Sequence, residues 1–258
     1  MAPLVVVSAT RLPEDHFWRQ SALGVSLSRL RFDQALQPRI AFANARGLPT
    51  LYNQVIDAAP PGSLMVFVHD DVWLEDAFLR QRIGDGLERF DVIGVAGNRR
   101  RLPNQPGWCF ADVVDGKLKM DERAHLSGSV AHGKLPFGPI SHFGPSPAEC
   151  ELLDGLLLAA RRDTLVARDV RFDERFLFHF YDLDFCRTAR ARGLKLGTWP
   201  LAVTHQSGIQ VVDLAGARWS EARLAWVGAG RAPTKRTWPN GKPPGSRLRS
   251  TTHRELLP

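Results

Sequence analysis

Three groups of side chains in this 258-residue sequence have the types and spacing that chemistry needs. His69-Asp70-Asp71 directly follows the apolar run 64–68. Two adjacent carboxylates at the end of a buried strand are costly to leave unpaired, and a bound Mg²⁺ or Mn²⁺ compensates them with oxygen ligands. The competing reading makes Asp71 the cap of a following helix and leaves Asp70 solvated. The second group is Phe178-His179-Phe180-Tyr181-Asp182-Leu183-Asp184, where acidic side chains interrupt an aromatic segment just before a helix. A carboxylate there can take a proton from a hydroxyl. A helix N-cap at Asp182 or Asp184 is the structural alternative. The third is His205, at the end of the run 202–204. A neutral imidazole there can ligate a metal, or it can be an ordinary hydrogen-bonded residue.

Strands and helices must bring these groups together. Apolar, β-branched runs predict strands at 4–8, 39–43, 64–68 and 91–96. Helical spacing of apolar residues predicts helices at 13–30, 48–59 and 75–89, the second stopped by Pro60-Pro61-Gly62. Strands alternating with helices predict a parallel sheet covered on both faces, with ligands at the carboxyl ends of its strands. Asp115-Gly116 between alternating flanks predicts a hairpin over 110–120. The Gly- and Pro-rich stretch 124–148 shows little periodicity and reads as a long loop, a candidate lid. Regular structure resumes at 152–160, followed by a helix over 182–192 capped by Gly193, strands at 195–199 and 202–204, and a helix at 219–227. After Gly230 the chain is Pro-rich, basic and aperiodic, and it reads as a disordered tail.

Composition narrows the class. Charged residues make up 24% and hydrophobic residues 44%, values that exclude wholesale disorder. No apolar run approaches the length of a membrane span, and no basic segment precedes Leu4, so neither a spanning helix nor a cleaved signal peptide is expected. Cys109, Cys150 and Cys186 are far apart, as reduced cytosolic thiols would be. The net charge of +7 invites a nucleic-acid reading, yet six of those charges fall in 231–258, where seven basic residues face Glu255 alone. The rest of the chain is nearly neutral, so no specific nucleic-acid partner is expected. The tail keeps the protein soluble or touches an anionic membrane. Arg99, Arg100 and Arg101 read as a solvated face or as a phosphate contact, and Trp108 and Trp199 as core packing or as rings that stack on a ligand.

Four segments, in order, resemble family 2 glycosyltransferases of the GT-A fold. Asn53-Gln54-Val55-Ile56, Gly62 and the strand into His69-Asp70-Asp71 resemble the helix and D-x-D metal motif. Leu153-Asp154-Gly155-Leu156 and the apolar residues after it resemble the "DG" strand on the acceptor side. Arg171-Phe172-Asp173-Glu174-Arg175-Phe176 with Tyr181-Asp182-Leu183-Asp184 resembles the segment bearing the "ED" base motif. The strand ending in His205 resembles the one that ends in a metal-binding histidine. Two departures stand out. His69 occupies the place of the first Asp of D-x-D, and Tyr181 that of the Glu of "ED". The form His-Asp-Asp-Val also occurs in a glycosyltransferase-like branch of the superfamily.

The resemblance implies an α/β, GT-A-like Rossmann-type domain over 1–230, with a mainly parallel central sheet, helices on both sides and the flexible tail 231–258. Its nucleotide-sugar half is expected at 1–98 and its acceptor half at 99–230. It implies Mn²⁺ or Mg²⁺ held by Asp71, His205 and Asp70, and Asp182 as the catalytic base of an inverting transfer. The donor, a UDP-, GDP- or dTDP-linked sugar, is expected at Ser8, Thr10, Asn44, Asn53, His69 and Asp70. The hydroxyl-bearing glycan or lipid-linked acceptor is expected at Asp154, Gly155, Asp184 and Trp108. A cytoplasmic protein, peripheral to the inner face of the membrane if the tail binds it, completes the expectation. A metal-dependent phosphoester hydrolase or nucleotidyltransferase, and a non-catalytic nucleotide-sugar-binding protein, are the alternatives.

Overall fold

The computed structural model of the chain describes residues 2–206 and 217–229. The basic tail and its expected membrane contact lie outside the described residues. The N-terminal part runs β1 (Leu4–Ala9), α1 (Glu14–Gln20), α2 (Ala22–Arg29), β2 (Leu36–Ala41), α3 (Leu48–Ala58), β3 (Leu64–Val68), β4 (Val72–Leu74), α4 (Leu79–Arg89), β5 (Val92–Gly94) and β6 (Ala96–Asn98). A hairpin, β7 (Phe110–Val114) and β8 (Lys117–Met120), follows. Next come β9 (Leu126–His132), β10 (Ile140–Gly144), β11 (Ala148–Cys150), β12 (Leu152–Leu153) and β13 (Leu157–Arg161). The chain closes with α5 (Arg162–Ala167), α6 (Tyr181–Ala191), β14 (Leu196–Thr198), β15 (Val203–His205) and α7 (Ala217–Ala229).

The result is an α/β architecture with helices on both faces of a seven-stranded sheet of order β11-β14-β5-β13-β3-β1-β2. Alternation along the strands builds two cores. Val5, Val7, Met65 and Phe67 point toward α3 and α6, while Leu4, Val6, Leu64, Val66 and Val68 point toward α2 and α4. Each such side chain, fully buried, contributes roughly 1.5–3 kcal/mol. The sheet is more mixed than expected. β2, β1 and β3 are parallel, as are β5 and β14, but β13 runs antiparallel to both β3 and β5. β13 therefore carries a segment from beyond residue 98 into the middle of the sheet built by the first hundred residues.

A second sheet, β12-β6-β9-β15-β4, with β10 against β9, receives the chain as it leaves the first. It changes two expectations. About half of the stretch 124–148 is strand, with β9 at the centre of this sheet, and its loops are the 133–139 tip and the short 145–147 link. Small residues hid it. Gly128 has φ +98°, and a Cβ there would lie 2.1 Å from the Val95 carbonyl, so close strand approach replaces side-chain packing. The helix expected from 75 begins at Leu79, because Val72-Trp73-Leu74 is consumed by β4, paired with β15. The helix expected over 13–30 is broken at Ser21. Its Oγ accepts from the Gly24 N–H at 2.8 Å and donates to the Phe17 carbonyl at 2.9 Å, capping α2 while closing α1. Cys109, Cys150 and Cys186 are free and buried. No helix among the described residues is long and apolar enough to cross a membrane.

Candidate functional site

The chain crosses from one sheet to the other between β3 and β4, and His69, Asp70 and Asp71 form that crossing. The His69 N–H donates to the Leu156 carbonyl at 3.1 Å, which anchors the crossing to the segment before β13. The Gln206 N–H donates to the Asp71 carbonyl at 2.8 Å, which anchors it to the end of β15. β15 pairs antiparallel with β4, and the register sets His205 opposite Val72. His205 Nε2 therefore lies 3.2 Å from Asp71 Oδ2.

One ligand atom each from His69, Asp71 and His205 lies within 4.8 Å of the others, and all three residues are half-buried. Donors about 2.0–2.2 Å from a first-row ion sit within such a distance of one another, so two imidazoles and a carboxylate fit a divalent cation. Burial first, and His205 as well, push the His69 pKa below its ordinary value, although the charges of Asp71 and Asp154 oppose this. A neutral imidazole is the form that binds metal. This group differs by one residue from the ligand trio expected from sequence. Asp70 is not in the group, and His69 is. The turn at 69–71, pinned at His69 to Leu156 and at Asp71 to Gln206, sets which of the three side chains face His205. The sequence signal was present but was spent on matching D-x-D.

The second half of the site grows from Gly155. Its N–H donates to Asp182 Oδ2 at 3.0 Å, and its carbonyl accepts from the Tyr181 hydroxyl at 2.9 Å. Only glycine fits, because a Cβ would lie 2.4 Å from the Tyr181 oxygen and 2.9 Å from the Asp182 Cβ. Phe180 precedes α6 in the left-handed region, φ 65°, and no side chain caps the helix. The N-cap alternative for Asp182 and Asp184 is therefore not taken. A non-glycine residue held there costs on the order of 1 kcal/mol, and the turn it makes delivers Tyr181 and Asp182 to Gly155. Burial, followed by the charge of Asp154, pushes the Asp182 carboxyl up to about 7 despite the Gly155 N–H. Asp154 is raised by burial, and its Oδ1 accepts from the Leu156 N–H at 3.2 Å. The Trp108 indole favours its ionised form, which places Trp108 beside the same carboxylate.

Other expected residues have different duties. Asp184 is fully buried and ion-paired with Arg187, so it serves the inside of α6 and is not open to an acceptor. Asn53 is also buried. Its Nδ2 donates to the Phe172 carbonyl at 2.9 Å and to Glu174 at 3.1 Å, and its Oδ1 accepts from the Phe172 N–H at 2.9 Å. It fastens α3 to the segment before α6. Thr10 Oγ1 accepts from the Leu12 N–H, and Asn44 closes a turn onto Arg46. The turns meet where the Asn44 N–H donates to the Thr10 carbonyl at 2.8 Å, at the carboxyl ends of β1 and β2. Ser8 is fully buried there, and its Oγ has no hydrogen-bond partner among the described residues. Arg100 is tied to Asp121, and Trp199 packs on Gly86 of α4.

Sequence reasoning missed His132. The parallel pairing of β9 with β15 aligns it with His205, ring centroids 6.1 Å apart, and its buried ring nitrogens have no hydrogen-bond partner among the described residues. The aperiodic look of β9 concealed it.

No protein-family model matches the chain, and no curated protein matches it. Among solved structures it is similar to the Drosophila beta1,4-galactosyltransferase 7 catalytic domain in complex with xylobiose, at 11% identity over 86% of this chain and 80% of that one, TM-score 0.45. A mutant of that enzyme with manganese, UDP-Gal and xylobiose gives 8% identity over the same shares, TM-score 0.49. A fragment of S. aureus TarS in complex with UDP gives 11% identity over 80% of this chain and 61% of that one, TM-score 0.42. Scores this low leave the functional question to the site's own residues.

Proposed function

We propose that the protein transfers a sugar from a nucleoside-diphosphate sugar to the hydroxyl of a glycan or lipid-linked acceptor, with inversion at the anomeric carbon. One observation carries the reading. The Gly155 peptide holds the candidate base Asp182 by its N–H, and by its carbonyl it holds Tyr181, which meets the His69 of the metal-type trio. A proton acceptor and a cation-binding group are therefore linked through one peptide and one phenol, the adjacency that a displacement between a hydroxyl and a diphosphate leaving group requires.

Asp182 takes the proton of the acceptor hydroxyl as that oxygen bonds to the anomeric carbon, and the bond from that carbon to the diphosphate oxygen breaks on the opposite face. Burial and Asp154 raise its proton affinity to near neutrality, where the ionised carboxylate is a stronger base than an ordinary one. His69, Asp71 and His205 would hold a divalent cation, which would supply Lewis-acid stabilisation to the departing diphosphate. Asp154, Gly155 and Trp108 border the acceptor. Ser8, Thr10 and Asn44 border the nucleoside, with Asp70 toward the donor's sugar.

Incubation with UDP-, GDP- and dTDP-sugars and Mn²⁺ tests the reading. The expected products are a glycoside and the nucleoside diphosphate. Release of the monophosphate instead assigns the site to a phosphoester hydrolase or nucleotidyltransferase, and no turnover across the panel overturns transfer. Asp71→Ala is expected to lower turnover by about 10²-fold or more. Wild-type rates in both Asp71→Ala and Asp182→Asn would remove these residues from the mechanism.

A further inference from the structure

The two departures from the glycosyltransferase pattern, His69 and Tyr181, touch each other. His69 Nε2 lies 3.0 Å from the Tyr181 oxygen, although 112 residues separate them in the chain. We infer that Tyr181 is a positioning residue that fixes the tautomer of His69, so that Nδ1 is the nitrogen offered to a metal beside Asp71 and His205. The inference rests on the metal reading of the site given above.

The argument is a proton count. A phenol has one proton to donate. Tyr181 gives it to the Gly155 carbonyl at 2.9 Å, so toward His69 it can only accept. Nε2 of His69 must then carry the hydrogen, and in a neutral imidazole the lone pair falls to Nδ1. Tyr181 is well placed to impose this. It is 3% exposed and packed against the rings of Tyr52 and Phe172. The Phe178 ring stacks on His69 at 5.8 Å between centroids, which holds the imidazole plane. A hydrogen bond to the non-ligating nitrogen is the usual outer-shell support of a metal-binding histidine.

The pair also explains why the two departures occur together. A carboxylate at 69 has no tautomer and needs no such support. A carboxylate at 181 would accept from His69 equally well, but it would add an anion beside Asp154 and Asp182, whose carboxyls already raise the proton affinity of the Tyr181 phenol. A phenol supplies the acceptor without charge. Two imidazoles and one carboxylate form a donor set that suits Mn²⁺ or Co²⁺ better than Mg²⁺.

Co²⁺ and Mn²⁺ titrations of the full chain without any nucleotide sugar test this, followed by cobalt visible absorption and calorimetry. Tyr181→Phe keeps the ring and removes the hydroxyl, and it is expected to weaken binding of both ions about 10- to 100-fold. In the His69→Asp background the same change is expected to matter less than about twofold, the non-additivity that marks direct coupling. Wild-type affinity in Tyr181→Phe overturns the inference, as does an equal loss in both backgrounds, which would make Tyr181 a packing residue. Nitrogen NMR of the wild-type protein without metal is a second reading, expected to show Nε2–H on His69, and Nδ1–H overturns the inference. A wild-type chain that binds neither ion overturns it together with the metal reading. The expected pattern of affinities without sugar transfer leaves it standing and removes the transferase.

Discussion

Asp182 acts as a base only when ionised, and its carboxyl is pushed up to about 7 by burial and by Asp154. The sign follows directly. With a metal ion at saturation, kcat/KM rises as pH increases through about 7 and levels above it. Asp182→Asn is expected to lower kcat by about 10²–10⁴-fold and to erase that limb. Steady-state rates from pH 5 to 9 decide it, and a variant that keeps the limb would place the titration elsewhere. Gly155 is a second test at this scale. Gly155→Ala forces a methyl against the Tyr181 oxygen and the Asp182 Cβ, so a loss of about 1–3 kcal/mol in urea unfolding is expected, with activity lost beyond that. A stable, active Gly155→Ala protein would mean that the peptide does not set the site.

Elements explain why some motif residues serve the fold. Asn53 uses both ends of its amide to join α3 to residues 172 and 174, the segment leading into α6. Asn53→Ala leaves the Phe172 backbone N–H and carbonyl unpaired in the core, a cost of about 1–3 kcal/mol. The expected outcome is a lower denaturation midpoint with nucleotide-sugar KM unchanged, and a raised KM at full stability would restore the donor-binding expectation. Strands 4–9 and 64–68 were legible because their apolar residues run unbroken, as strands buried on both faces do. β9 was not, because Gly128 packs by backbone approach and interrupts the apolar face that Leu126 and Val130 carry into the core.

Across the whole molecule, buried acids make stability depend on pH. Asp182 is raised to about 7 and Asp184 to about 6, both from 3.8 and both chiefly by burial. Between the unfolded and folded values the folded chain holds more protons, so these groups favour folding below about pH 4, and that contribution is lost as pH rises to 7. Asp121 works the other way. Burial opposes its ionisation, but bonds from Arg100 and Asn98 outweigh it and hold its pKa at about 2, so its contribution is present at neutral pH and lost in acid. Urea unfolding with a chelator at pH 5 and pH 8 is expected to show Asp182→Asn narrowing the difference between the two pH values. An unchanged difference would remove Asp182 from this balance. Adding Mn²⁺ is expected to raise the wild-type Tm and leave Asp71→Ala unmoved, since only a folded site binds.

What the sequence determined by itself is local. Its alternating runs specified strands and helices with apolar residues on both faces of a sheet, and its acidic and histidine residues marked the strand ends where polar chemistry can sit. The order of these motifs along the chain, matched to the glycosyltransferase pattern, named Asp71, Asp182 and His205 as candidates. Only the tertiary structure decided which of them meet. Asp71 and His205 are brought together by the pairing of β4 with β15, and Tyr181 and Asp182 by the approach of α6 to Gly155. His69 replaced Asp70 in the trio, and Asn53 and Asp184 went to the fold, for one physical reason. A side chain's partners are set by long-range register and by which face of its element is buried, and neither is written in its immediate neighbours.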